Sequence, residues 1–386
     1  MTQSAPPAVP PQAGSAPFET HADRPAERRD GRPDTETPAR PGGTRHKQRD
    51  AHLDNAKFLG VVLVVCGHVL EDLRDATGAH ALYLFIYMFH MPLFIVLAGY
   101  FSRSFTFSAG KARKLITSLA VPYVIFEIAF ACYRWALGVA DKPTISLLDP
   151  YFVTWFLLAL FVWRLSTPVW QQLRWPIGGA VVISVLSGTA DLPTMMDLYR
   201  MLGLLPFFVI GLMLKPEHFE LLKRPRVRVA GALVLAGGLI MANLVHRKMT
   251  TEWALWRMGF ADLHVSNLTG AGMRLGMLLA GATLVAAFLA IVPSRHTWFT
   301  RLGGATMYAY LLHGFGTKLM EARGWYDPSW LHTVPGVAVA MAAAAGFAVL
   351  LMTAPVRRVT RWAVSPVIDW AFTRPGTYAG PPRRNA

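Results

Sequence analysis

The sequence predicts an all-α, polytopic integral membrane protein of about ten transmembrane helices, with both termini in the cytoplasm. Three observations predict it. Of the 386 residues 53% are apolar and only 16% charged, and the mean hydropathy is +0.34; an ordinary soluble domain carries roughly 25% charged residues. The apolar residues fall in ten runs, several near the ~20 residues a helix needs to cross the hydrocarbon core. Lys and Arg collect on alternate connections, the bias that orients membrane helices.

The runs lie at 54–72, 81–101, 115–137, 151–166, 176–190, 197–214, 227–245, 271–292, 298–318 and 335–355. Aliphatic residues, Ala and Gly dominate them, and the need to satisfy every backbone group in lipid makes them helices. The fourth and fifth are short. With the N-terminus inside, 27 of the 38 Lys and Arg residues fall in inner regions and six in outer loops. This distribution explains the formal charge of +15 without a nucleic-acid partner. Residues 1–50 mix Pro, Ala, Arg and acids with almost no large apolar residue, and read as a disordered cytoplasmic tail. Residues 51–355 form the membrane domain, and 356–386 a basic cytoplasmic C-terminal tail. Cys66 and Cys132 lie within apolar runs, which suggests neither a disulfide framework nor a thiol zinc site.

The first run, "LDNAKFLGVVLVVCGHVLED", holds Lys57 and His68 eleven positions apart. At 100° per residue they share a face, separated by about 16 Å along the axis. Lys57 near the inner end either snorkels or serves a site. His68 lies in the outer half, with Glu71 and Asp72 at i+3 and i+4 in reach of its ring. A carboxylate that holds one ring nitrogen leaves the other free as a base.

The second run stripes Tyr83, Tyr87 and His90 along one face ahead of Pro92; the tyrosines read as packing and His90 as a further cavity residue. The third carries Tyr123, Glu127 and Arg134 after Pro122, the sixth Asp197 and Arg200, and the eighth Arg274. The ninth stripes Thr306, Tyr310, His313 and Thr317. One intramembrane polar residue is commonly structural, but His on three helices and Arg on two others point to a shared hydrated cavity. The inner connection "SRSFTFSAGKARK" concentrates Arg103, Lys111, Arg113 and Lys114. It reads either as the topology signal or as an anion site for a phosphorylated cytosolic ligand. No P-loop, HExxH or GxSxG occurs. An enzyme and a transporter or flippase for a polar, carbohydrate-like substrate both fit these polar stripes; no inverted repeat favours the latter.

The stretches "LDNAKFLGVVLVVCGH", "LYLFIYMFHMPLFIVLAGYFSR", the basic run leading into "VPY", "TWFLLAL" and "MYAYLLHG" resemble, in that order, the type-three membrane acyltransferases that O-acetylate carbohydrates. The nearest branch is fucose 4-O-acetylase-like, and the similarity covers about residues 50–355. The resemblance implies about ten helices in the cell membrane, no resident cofactor or metal, and acetyl-CoA (or another acyl-CoA) as co-substrate. A hydroxyl of a sugar, glycan or glycosylated small molecule would receive the acyl group. The family's basic residue, ten residues, then His matches Lys57 and His68. It implies His68 as catalytic base or acyl relay, oriented by Glu71 or Asp72, with Lys57 supporting the donor. The family's basic start of the third helix, associated with acyl-CoA, maps onto Arg113 and Lys114, with Lys111 sharing the positions in place of a clean paired-Arg pattern. The anion-site reading of the whole stretch from Arg103 to Lys114 would place the donor's phosphates there. His90, His313, Tyr310, Glu127, Arg200 and Arg274 would face the acceptor, with Arg200 or Arg274 near the oxyanion.

Overall fold

The computed structural model describes residues 50–372, so the expected N-terminal tail and residues 373–386 lie outside the described residues. Among the described residues all regular structure is helical. The order is α1 Ala51–Asp72, α2 Ala79–Ser102, α3 Ala109–Leu115, a π turn Ile116–Ala120, α4 Val121–Ala136, α5 Trp155–Gln172 and α6 Pro176–Thr189. Then come α7 Leu198–Gly203, α8 Leu205–Met213, α9 Pro216–Leu222, α10 Pro225–Val245, α11 Thr251–Leu255 and α12 Asn267–Ile291. The chain ends with α13 Thr306–Ala322, α14 Val334–Leu351 and α15 Ala354–Val364.

Each of the ten apolar runs coincides with helix, but among the described residues six helices are long and apolar enough to cross a bilayer. These are α1, α2, the continuous Ala109–Ala136 helix, α10, α12 and α14; the pair Met195–Gly203 and Leu205–Met213, bent by 51°, makes a seventh if it is one broken span. The expectation of ten exceeds this count for local reasons. The 14 residues of α6 rise about 21 Å against a core of about 30 Å. Arg164, Ser166, Thr167 and two Gln dilute α5, and α13 carries His313, Lys318 and Glu321 in 17 residues. The basic run also differs from expectation: Lys111, Arg113 and Lys114 sit on helix rather than in a loop, because the third helix begins at Ala109. Pro122 supplies no N–H to the turn before it, and the π turn absorbs that mismatch.

Burial separates core from periphery. In α1, 72% of the spanning window is buried, against 11% in α10, which places α1 at the centre although it carries the charged residues. It packs on α2, α13, α14 and the 300–304 turn, while α2 packs on α8, α10 and α12. Asp50 caps α1 by accepting from the His52 N–H at 2.9 Å. The "LDN" of the first run then locks the start of α1 to the α12–α13 connection. Asn55 donates to the carbonyls of Pro293 (2.8 Å) and Arg295 (3.0 Å) and accepts from Thr297 (3.3 Å) and Thr300 (2.7 Å). Beside it, a Cβ on Gly303 would stand 2.1 Å from the Asp54 carbonyl oxygen. Where α2 crosses α8, a Cβ on Gly99 would meet the Phe208 carbonyl at 2.1 Å and one on Gly211 the Val96 carbonyl at 2.1 Å. Small residues permit that backbone approach, the usual device for helix packing in lipid.

Candidate active site

A cavity of about 440 Å³ opens among the C-terminal half of α1, the N-terminal half of α2, α4, the 144–154 connection, α7, the 254–257 turn and α13. Chain direction puts all of these at one end of the bundle, where α1 stops and α2 starts. His68, Glu71, Tyr87, His90, Glu127, Arg200 and Tyr310 line it together with Arg134, Arg257 and Lys318.

His68 sits at its wall, its side chain 17% exposed. Its Nδ1 is 3.3 Å from Glu71 Oε2 and 3.3 Å from the Tyr87 hydroxyl, and Tyr87 donates to the same Glu71 oxygen at 3.3 Å. A carboxylate only accepts, so Nδ1 carries the ring proton and Nε2 keeps a lone pair. Phe152 packs on the ring at 4.6 Å between centroids and His313 at 5.2 Å. Phe152 holds a left-handed backbone, φ 54°, a conformation that costs free energy for a non-glycine and persists where the surroundings enforce it. Those surroundings are polar: Glu127 accepts from the Tyr151 N–H at 2.9 Å and from the Thr154 hydroxyl, while the Tyr310 hydroxyl donates to the Val153 carbonyl. Glu127 and Tyr310 thus hold the 151–154 segment over His68 while also facing the cavity.

His90 and His313 each donate Nδ1–H to the carbonyl four residues earlier, both at 2.9 Å. Their Nε2 atoms are therefore acceptors, and that of His313 is buried without a partner. Arg200 donates Nε–H to the Leu255 carbonyl at 2.8 Å and pairs with Asp197 at 3.2 Å. Its guanidinium lies over Trp155, leaving it fixed at the cavity wall.

The structure does not bring the remaining residues to the cavity. Arg274 is buried behind it: its guanidinium covers Trp256 and Phe260 at 4.9 and 5.3 Å and donates to the Ser184 carbonyl at 3.3 Å. It ties α12 to α6 and to the back of the Trp256 wall, so the expectation that it faces the acceptor is corrected. Asp72 makes no hydrogen bond to His68 and lines instead an adjoining groove, so of the two carboxylates Glu71 is the one bonded to the ring. Lys57 pairs with Asp54 at 2.6 Å and lies 5.5 Å from the Phe101 ring centroid, at the end of the bundle opposite His68. The donor candidates cluster at that same end. Arg103 donates to the carbonyls of Tyr100 (2.9 Å) and Leu214 (2.7 Å). Lys111 reaches the Ser104 carbonyl, Arg113 lies over Phe372 at 4.8 Å, and Lys114 is exposed.

Sequence reasoning missed Tyr87, Lys318 and the 144–154 connection. Tyr87 lay on the stripe with His90, and Lys318 was an in-span cation on the helix of His313; both signals were readable. Nothing local marked the connection.

The groove that holds Asp72 is also lined by Glu71, Arg74, Asp75, His80, His246, Arg247 and Lys248. On its flank, outside the spans, His332 donates from Nδ1 to Asp75 at 2.7 Å and from Nε2 to the Tyr326 carbonyl at 2.8 Å. The Tyr326 carbonyl and then Asp75 hold this imidazole above its ordinary pKa.

Comparison with known proteins bears on this geometry. A family model described as an acyltransferase domain matches residues 50–353. The chain is 40% identical over 81 residues to the nodulation protein NolL of Mesorhizobium japonicum, covering 18% of this chain and 21% of that protein. It is 29% identical over 185 residues to the nodulation protein NolL of Sinorhizobium fredii, covering 42% and 48%. The matches thus span less than half the length of either relative. No solved structure matches.

Proposed function

We propose, for a chain that belongs to the acyltransferase-domain family, that it moves an acetyl group from acetyl-CoA to a hydroxyl of a sugar, glycan or glycosylated small molecule in the cell membrane. The observation that carries this reading is the His68–Glu71–Tyr87 arrangement beside a polar cavity. Nε2 of His68 takes the proton of the acceptor hydroxyl as its oxygen attacks the thioester carbonyl. Glu71 stabilises the imidazolium that forms. Arg200, held at the cavity wall by Leu255 and Asp197, stabilises the developing oxyanion. Collapse breaks the C–S bond, and the departing thiolate takes the proton from Nε2, leaving an O-acyl ester and free CoA.

The donor's phosphates dock against Arg103, Lys111, Arg113 and Lys114 at the inner end, and its extended arm runs beside α1 toward His68. Lys57 and His68 lie eleven residues apart on α1, about 16 Å. In this reading α5, α6, α13 and the bent α7–α8 pair also cross the membrane within the bundle, completing ten segments with both termini cytoplasmic.

Membranes holding the protein, given labelled acetyl-CoA and a panel of neutral sugars, test the reading by thiol release and label transfer. Transfer that His68→Ala abolishes is expected. Undiminished transfer by His68→Ala sinks the assignment of the base, and absence of transfer to every sugar sinks the acceptor class.

A further inference from the structure

The groove beside the cavity has no role in the chemistry above, yet one residue belongs to both. Glu71, which orients His68, lines the cavity and the groove alike. The groove is open to solvent and continues outward from Glu71 along the α1–α2 turn and the segment that follows α10. The residues that line it are polar except for Met249: Asp72 and Asp75 lie beside Glu71 in sequence, and Arg74, Arg247 and Lys248 supply cations. Arg74 donates Nε–H to the Glu71 carbonyl at 2.7 Å and reaches Thr251 at 3.4 Å, tying the two walls together. The His80 and His246 rings meet in the floor with centroids 5.5 Å apart, and His80 Nε2 is buried without a partner.

We propose, resting on the acyltransferase reading above, that this groove is an acceptor subsite that binds the sugar units next to the one being acylated, so that the preferred acceptor is a neutral oligosaccharide. Three carboxylates face three cationic side chains, and Asp75 is also held by His332, so the groove presents both signs of charge rather than a field of one sign. A polyanion would meet Glu71, Asp72 and Asp75. Met249 is the single apolar side chain in the lining. A run of hydroxyls suits both walls, donating to the carboxylates and accepting from the guanidinium and ammonium groups. The shared Glu71 puts the last of those sugars beside His68.

The test uses the full-length protein in membranes, labelled acetyl-CoA and glucose oligomers of one to four units, alongside Arg247→Ala/Lys248→Ala. Both replaced side chains are exposed, so the fold tolerates the change, and transfer to the monomer serves as its control. The expected result is a KM that falls at least fivefold from one unit to three in the wild type, a gain lost in the double variant while transfer to the monomer is unchanged. Transfer with a KM independent of length, or an equal loss for monomer and oligomers, overturns the groove and leaves the acyltransferase standing. No transfer to any oligomer, when the sugar panel above also gives none, overturns both.

Discussion

Replacing Glu71 by Gln isolates the charge of the orienter with little change of shape. The Nδ1–H of His68 then donates to a neutral amide oxygen. A hydrogen bond to a charged partner contributes about 1.5–3 kcal/mol net and a neutral one about 0.5–1.5 kcal/mol. At 3.3 Å the bond is longer than the roughly 2.7–2.9 Å of a strong charge-assisted contact, so the low end applies and the loss is about 1–1.5 kcal/mol. At about 1.4 kcal/mol per factor of ten, kcat falls roughly tenfold. Glu71→Ala frees the ring as well and costs about 2–3 kcal/mol, roughly 30–150-fold. Tyr87→Phe removes one neutral bond and costs roughly twofold alone. Because Tyr87 donates to the Glu71 oxygen, it costs much less in the Glu71→Ala background. The assay is the initial rate of CoA thiol release at saturating acceptor, with protein levels matched. Wild-type kcat in Glu71→Ala, in membranes where His68→Ala is dead, refutes the orienting role. Full additivity of Glu71→Ala and Tyr87→Phe refutes the chain of hydrogen bonds.

Three further outcomes follow from the packing. Asn55→Ala removes the partner of the part-buried carbonyls of Pro293 and Arg295 and of the Thr300 hydroxyl and destabilises the folded protein by about 1–2 kcal/mol; thermal unfolding in detergent reads this as a lower Tm. Gly99→Ala drives a methyl to 2.1 Å from the Phe208 carbonyl, so α2 and α8 must separate. Yield and Tm both fall, and a Tm equal to wild type contradicts the crossing. Tyr310→Phe releases the Val153 carbonyl and loosens the segment over His68 without touching the base. The acceptor KM rises severalfold while kcat stays within about twofold, checked by steady-state kinetics with acceptor varied.

The pairing of His68 with a carboxylate was legible because it is local: residues three and four apart on a helix are neighbours whatever the fold. The choice between Glu71 and Asp72 was not, since both spacings reach the ring. The His68 rotamer is set by Tyr87 from α2 and Phe152 from the connection before α5, and it turns Nδ1 to Glu71. The arginines show the same divide. Arg200 and Arg274 were equivalent as intramembrane cations, yet Arg200 faces the cavity and Arg274 covers the far side of Trp256. That difference depends on how each helix is rotated against its neighbours, which periodicity within one helix does not encode.

By itself, the sequence determined the all-helical membrane class, the order of the apolar helices and the one-face alignment of Lys57 with His68. Each follows from lipid solvation or from the 3.6-residue period. Only the tertiary structure decided which polar residues share a cavity and which carboxylate holds His68. It also decided that an 18-residue connection, 137–154, contributes to the cavity. Those outcomes rest on contacts between helices far apart in the chain, where close packing and the demand for satisfied buried polar groups admit one arrangement.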